Sequence, residues 1–119
     1  MPEHKPTRVE KPWGHELIWA RTPRYVGKIL HVRAGHSLSL QYHRVKDETI
    51  HLLSGQLRFQ VGEGDDLRDQ PIEPGQSFHI TPGLRHRMIA ITDCDILEAS
   101  TPELDDVVRL EDRYGRTRG

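Results

Sequence analysis

Turn signals interrupt this chain at short intervals, and that punctuation limits it to short strands. Ala34-Gly35, Ser54-Gly55, the span from Gly62 to Asp66, Glu73-Pro74-Gly75 and Pro82-Gly83 carry the residues at which a backbone reverses. Between and around them lie HELIWA, KILHVRAG, LSLQYH, TIHLLSG, QLRFQVG, QSFHITPG, HRMIAITD and DILEAS. These runs alternate apolar with polar residues or stay apolar for only a few positions. No window keeps a helical period long enough for a core helix. The expected fold is all-β, with many short antiparallel strands closing into a jelly-roll barrel. Only PELDDVVRLEDRYGR suits a short C-terminal helical segment, with Pro102 and the acids Glu103, Asp105 and Asp106 at its head.

A chain of 119 residues has room for one modest core, so residues 1–119 are expected to form a single domain. Pro2, Pro6 and Pro12 make residues 1–14 an extended N-terminal arm, able to lie along its own barrel or cross to a neighbouring subunit. With 17 Lys and Arg against 18 Asp and Glu, no excess positive charge exists to displace counterions from a nucleic acid, so that partner is not expected. No apolar run reaches the roughly 20 residues that span a bilayer. The start, MPEHKPTRVEKPWG, also lacks a secretory apolar core, so no membrane partner and a cytoplasmic location are expected. The lone Cys94 cannot pair within the chain, and nothing in TDCDI activates its thiol.

Eight histidines in so short a chain prompt a search for ligand sets. Side chains two apart on a strand share a face, so Gln41 and His43 can look into one cavity while Leu40 and Tyr42 face away. A reversal over residues 44–47 returns the chain to a strand on which Glu48 shares a face with Ile50 and Leu52. His86 begins another strand, just past a Pro-Gly turn, in step with Met88 and Ala90. Two imidazoles, a carboxylate and an amide oxygen suit one divalent transition metal per chain, Zn²⁺, Fe²⁺, Mn²⁺, Co²⁺ or Ni²⁺, with positions open for substrate oxygens. The same residues also read as polar side chains on a solvated turn, and spacing alone does not decide between the two.

Residues 35–55 resemble the first motif of the cupin superfamily: Gly35, five residues, Gln41-Tyr42-His43, four residues, Glu48, six residues, Gly55. Residues 75–90 resemble the second, with Gly75, Gly83 and His86 in register, Thr81 where a proline is usual and Ala90 where an asparagine is. The resemblance implies a single-domain cupin, a double-stranded β-helix, with metal ligands at Gln41, His43, Glu48 and His86. Gln41 replaces the usual first histidine. Together with KPWGHELIW, LSLQYH, LLSG, PGQSFHI and DDVVRLEDRYGR, that Gln-x-His pair is similar to the cupin domain of type II mannose-6-phosphate isomerases. The bifunctional members carry a guanylyltransferase domain for which 119 residues leave no room, so guanylyl transfer is not expected of this chain. They also have a second histidine where this chain has Val45.

The resemblance thus implies a stand-alone, metal-dependent enzyme that interconverts aldose and ketose sugar phosphates through a metal-stabilised enediolate, with zinc first among the candidate metals. Such chemistry needs a base and a phosphate anchor. Lys28 shares a strand face with Leu30 and Val32, and a lysine inside the barrel would suit proton transfer. Lys46, Arg85 and Arg87 could bind phosphate at the barrel mouth. By strand parity His31 and His51 face outward, His4, His15 and His36 fall in or beside loops or the N-terminal arm, and His79 sits on a strand either face of which could be interior. Two histidines with a carboxylate also compose an oxygenase triad, and small cupins serve as cyclases or epimerases, so another metal-dependent cupin enzyme remains an alternative. A non-catalytic sugar-binding module is a third reading, and a homodimer is implied by the resemblance in each case.

Overall fold

The structure is a computed structural model describing residues 5–116. His4 and the first part of the expected arm lie outside the described residues. Eleven strands follow one another: β1 Thr7–Lys11, β2 Gly14–Arg21, β3 Val26–Val32, β4 Leu40–Tyr42, β5 Glu48–Ser54, β6 Leu57–Glu63, β7 Asp66–Gln70, β8 Ser77–Ile80, β9 Arg85–Ala90, β10 Cys94–Ser100 and β11 Val108–Glu111. They form a six-stranded sheet, β1-β2-β3-β10-β5-β8, and a five-stranded sheet, β11-β4-β9-β6-β7, in which every pairing is antiparallel. The turn chemistry sets the breaks. Gly55, for instance, has a φ of 96°, and a Cβ there would meet the Asp93 carbonyl oxygen at 2.2 Å, so only glycine lets the β5–β6 turn pass the backbone that leads into β10.

Period-two alternation decides which residues line the interior. Leu30 and Val32 of β3, Ile50 and Leu52 of β5 and Ile96 of β10 are buried on one sheet, opposite Phe59 and Val61 of β6 and Met88 and Ala90 of β9 on the other. Each of these side chains larger than alanine, withdrawn from water, contributes about 1.5–3 kcal/mol. Phe59 meets Phe78 edge-on at 5.1 Å between ring centroids, and Trp13 is buried, whereas Trp19 is half exposed. Farther along the same strands the inward rows turn polar. Lys28 pairs with Glu98, and Ser100 with Glu48, so the interior has an apolar floor and a charged end.

Residues 7–11 of the expected extended arm form β1 and pair with β2 of their own chain, whereas the C-terminal segment differs from the helical expectation. No helix forms among the described residues. Residues 102–107 make successive tight turns, and β11 then adds to the edge of β4. The physical reason is local competition: the Asp106 carboxylate bonds to backbone N–H groups of another segment, and the β-branched Val107 and Val108 favour the adjoining strand edge. Accordingly, no helix is long and apolar enough to cross a membrane.

Candidate metal centre

The charged end of the interior opens into a cavity of about 220 Å³ lined from both sheets. His43 follows β4 directly, Glu48 opens β5 and His86 is the second residue of β9. The Pro82-Gly83 turn launches β9 toward them. Gly83 has a φ of 86°, and its N–H donates to the His43 carbonyl at 2.7 Å, tying the two histidine segments together.

One atom from each of His43, Glu48 and His86 lies within 4.8 Å of the others, and all three residues are buried. Glu48 Oε1 stands 3.2 Å from His43 Nε2 and 3.4 Å from His86 Nε2. In each ring the other nitrogen is engaged, with His43 Nδ1–H donating to the Asp106 carbonyl at 2.6 Å and His86 Nδ1–H to the Leu84 carbonyl at 3.0 Å. The Nε2 of each neutral ring is then an acceptor. Two imidazole lone pairs and a carboxylate oxygen converge on one point, an arrangement that a cation resolves.

The spacing fits such an ion, since donors about 2.0–2.2 Å from one centre lie roughly 3–3.5 Å from each other. Where no cation is bound and the rings carry a proton on Nε2, burial would raise the Glu48 carboxyl, but hydrogen bonds from His43 and His86 and the charge of Lys46 outweigh it and hold it well below the usual carboxylate range. Glu48 Oε2 has an ion-pair contact with Lys46 Nζ at 3.0 Å, off hydrogen-bond geometry, and otherwise no hydrogen-bond partner among the described residues. Gln41 is the direct strand partner of His86 and lines the same cavity. Its Nε2 donates to Ser39 Oγ at 3.0 Å, a bond in which the amide oxygen takes no part. The donor set present therefore fits one divalent ion.

Behind these residues runs a chain of buried charges. Glu98 lies 3.3 Å from Lys46 and 3.9 Å from Lys28, and Lys28 lies 3.4 Å from Glu16. Burial and the nearby Glu48 push the Glu98 carboxyl up, against the pull of Lys46 and Lys28. Lys46 is raised because Glu98 and Glu48 outweigh the burial that works against its charge. Both lysines line the cavity. Arg85 and Arg87 occupy the opposite face of β9 from His86, where Arg85 approaches Asp65 at 3.5 Å and Arg87 pairs with Glu111.

His43 and His86 are the only histidines lining this cavity among the described residues. His31 bonds Asp95 at 2.8 Å, His36 bonds Tyr114 at 2.7 Å, and the exposed His79 bonds Asp47 at 2.6 Å. Sequence reasoning passed over Glu98 and Asp106. Glu98 had a legible signal, an acid in the inward register of Cys94, Ile96 and Ser100. Asp106 had none, because its partners lie some 60 residues away along the chain.

A family model described as "Cupin domain" matches residues 28–99. The chain is 31% identical over 115 residues to the xanthan biosynthesis protein XanB of Xanthomonas campestris pv. campestris, which covers 92% of this chain and 24% of that protein. It is 30% identical over 118 residues to the mannose-1-phosphate guanylyltransferase ManC of Salmonella typhimurium, covering 95% and 24% respectively. It thus spans about a quarter of the length of the curated relatives it matches. Among solved structures, the capsular polysaccharide assembling protein CapF of Staphylococcus aureus superposes with a TM-score of 0.74 at 17% identity, over 90% of this chain and 34% of that one. That likeness concerns the fold.

Proposed function

The chain belongs to the cupin domain family, and from that premise we propose that it isomerises a sugar phosphate, exchanging aldose and ketose forms at C1 and C2. The observation that carries this reading is the convergence of His43, Glu48 and His86 beside the Gln41 amide, in a cavity that also holds Lys28. Similarity to a mannose-1-phosphate guanylyltransferase supports a mannose phosphate as the substrate.

Gln41, His43, Glu48 and His86 would hold one divalent ion, with zinc best suited to two imidazoles and a carboxylate and Fe, Mn, Co or Ni accommodated by the same donors. When bound, it supplies positive charge to the substrate oxygen that becomes negative as the C–H bond breaks. The side chains do the rest. Lys28, 3.4 Å from Glu16, moves the proton from C2 to C1 while the hydroxyl proton on O2 passes to O1. Glu98 holds Lys28 and Lys46 at the cavity wall, and Lys46 contacts the anionic substrate. Arg85 and Arg87, lying across the sheet from the cavity, are left to ion pairing on the outer face.

The test is conversion of mannose 6-phosphate to fructose 6-phosphate by chelator-stripped protein, followed by add-back of each metal, with His86→Ala as control. Turnover that returns with metal and is lost in the variant supports the reading. Metal-loaded protein that converts neither sugar phosphate overturns it.

A further inference from the structure

We infer that Arg109 is the residue that binds the phosphate of the substrate, from the far side of the candidate metal site. This inference rests on the sugar-phosphate reading for the identity of the ligand and adds to it the group that selects a phosphorylated sugar.

Register places Arg109 there. On the five-stranded sheet Arg109 pairs with Gln41, and Gln41 pairs with His86, so the three residues stand in one row across β11, β4 and β9. Directly paired side chains share a face, and all three line the same cavity. The register shifts between Arg109 and Glu111, a bulge of the kind that re-aims a side chain at the edge of a sheet.

Most of the other cations lining the cavity already face a carboxylate: Lys28 faces Glu16, Lys46 faces Glu48 and Glu98, and Arg116 is held by Asp112 at 2.8 Å, while Lys11, also at the cavity wall, has an ammonium in place of the guanidinium fork. Arg109 takes part in no ion pair or side-chain hydrogen bond among the described residues, and its Nε is buried without a hydrogen-bond partner. An enclosed and unpartnered guanidinium N–H marks a place where an anion completes the site. The fork of guanidinium donors matches two phosphate oxygens at once, which a lysine cannot do.

The reach is also suitable. Strand spacing of about 4.8 Å sets the Arg109 backbone roughly 10 Å from that of His86. An open-chain sugar bridges such a gap with its reacting end toward His86 and a terminal phosphate toward Arg109. Placing the anion two strands from the histidines also keeps phosphate from competing with the sugar oxygens for the metal donors.

The experiment is calorimetric titration of the full chain with mannose 6-phosphate, with mannose and with inorganic phosphate, for the wild type, Arg109→Gln and Arg109→Lys. Zinc stoichiometry and thermal midpoint are measured alongside. Arg109→Gln is expected to weaken mannose 6-phosphate binding by at least about tenfold. Its mannose affinity and zinc stoichiometry should stay unchanged, and Arg109→Lys should recover part of the loss. Equal affinity for mannose 6-phosphate in the wild type and Arg109→Gln overturns the inference, as does a wild type that does not distinguish mannose 6-phosphate from mannose. Should Arg109→Gln fold poorly, Arg109→Lys carries the test: its phosphate affinity must fall while its mannose affinity holds, and an unchanged phosphate affinity again overturns the inference. Turnover separates this inference from the isomerase reading. Binding that depends on Arg109 without isomerisation removes the isomerase reading alone, whereas isomerisation with Arg109 silent removes this inference alone.

Discussion

The ring of His43 is oriented by Asp106 across 63 residues of chain, through a hydrogen bond of 2.6 Å from Nδ1–H to the Asp106 carbonyl. The Asp106 side chain acts on the same loop. Its carboxylate accepts the backbone N–H groups of Arg44, Val45 and Lys46 at 3.1, 2.7 and 2.8 Å, which clamps the turn between His43 and Glu48. Those bonds, led by Lys46 and Val45, hold its carboxyl down at about 2. Removing this support should loosen the ligands without deleting any of them. Asp106→Ala is expected to weaken zinc binding by about 10- to 100-fold, with Asp106→Asn, which keeps one acceptor oxygen, losing less. Competitive zinc titration measures both.

Gln41 tests whether the amide is a ligand or only a neighbour. Gln41→Leu is expected to lower zinc affinity measurably while leaving His43, Glu48 and His86 in place. His86→Ala should lose more, because an imidazole is the stronger donor. An affinity unchanged in Gln41→Leu removes the amide from the ligand set.

Glu98 lies between two buried ammonium groups, 3.3 Å from one and 3.9 Å from the other. Glu98→Ala deprives both of a partner, and a broken buried ion pair costs about 3–5 kcal/mol. Urea denaturation should show a midpoint lowered by that amount of stability, and a loss under about 1 kcal/mol would mean that Glu16 and Glu48 satisfy the lysines alone.

Ile96 is fully buried between β3 and β5 at the apolar floor. Ile96→Ala should cost about 2–5 kcal/mol through lost burial and the cavity left behind. Zinc binding by the folded fraction should be nearly unchanged, since the floor and the charged end are separate rows of the same strands.

Cys94 is buried, and that burial, with Asp95 and Asp93 behind it, pushes its thiol up to about 11 from an ordinary value of 9.0. The folded chain therefore holds this proton longer than the unfolded chain does. Its contribution to stability is complete below pH 9 and is lost as the pH climbs toward 11. Native protein at neutral pH should resist a thiol-labelling disulfide reagent and react only at the rate of unfolding. Labelling within seconds under native conditions contradicts this.

Much of the site was legible because strand parity is a local property. Gln41 and His43 on one face, Glu48 in step with Ile50 and Leu52, and Lys28 in step with Leu30 and Val32 each follow from alternation along one segment. Glu98 obeyed the same rule but was missed, since DILEAS reads as an ordinary apolar strand with one acid in it. Arg109 was hidden for a different reason. Its segment has acids at its head that suit a helix start, yet the free edge of β4 and the turn held by Asp106 take it into the sheet. The arginines beside His86 looked well placed in sequence, but parity sends them to the other face of β9.

By itself the sequence determined the class of fold, the positions of most turns and the face each strand residue occupies. Glycine and proline restrict backbone angles locally, and side chains alternate by covalent geometry. Tertiary structure alone decided which strands became neighbours. The alignment of Arg109, Gln41 and His86, the burial of Glu98 between two lysines and the reach of Asp106 to residues 44–46 all depend on contacts between distant segments. Such contacts arise from the joint burial of two sheets, a balance over the whole core that no single segment contains.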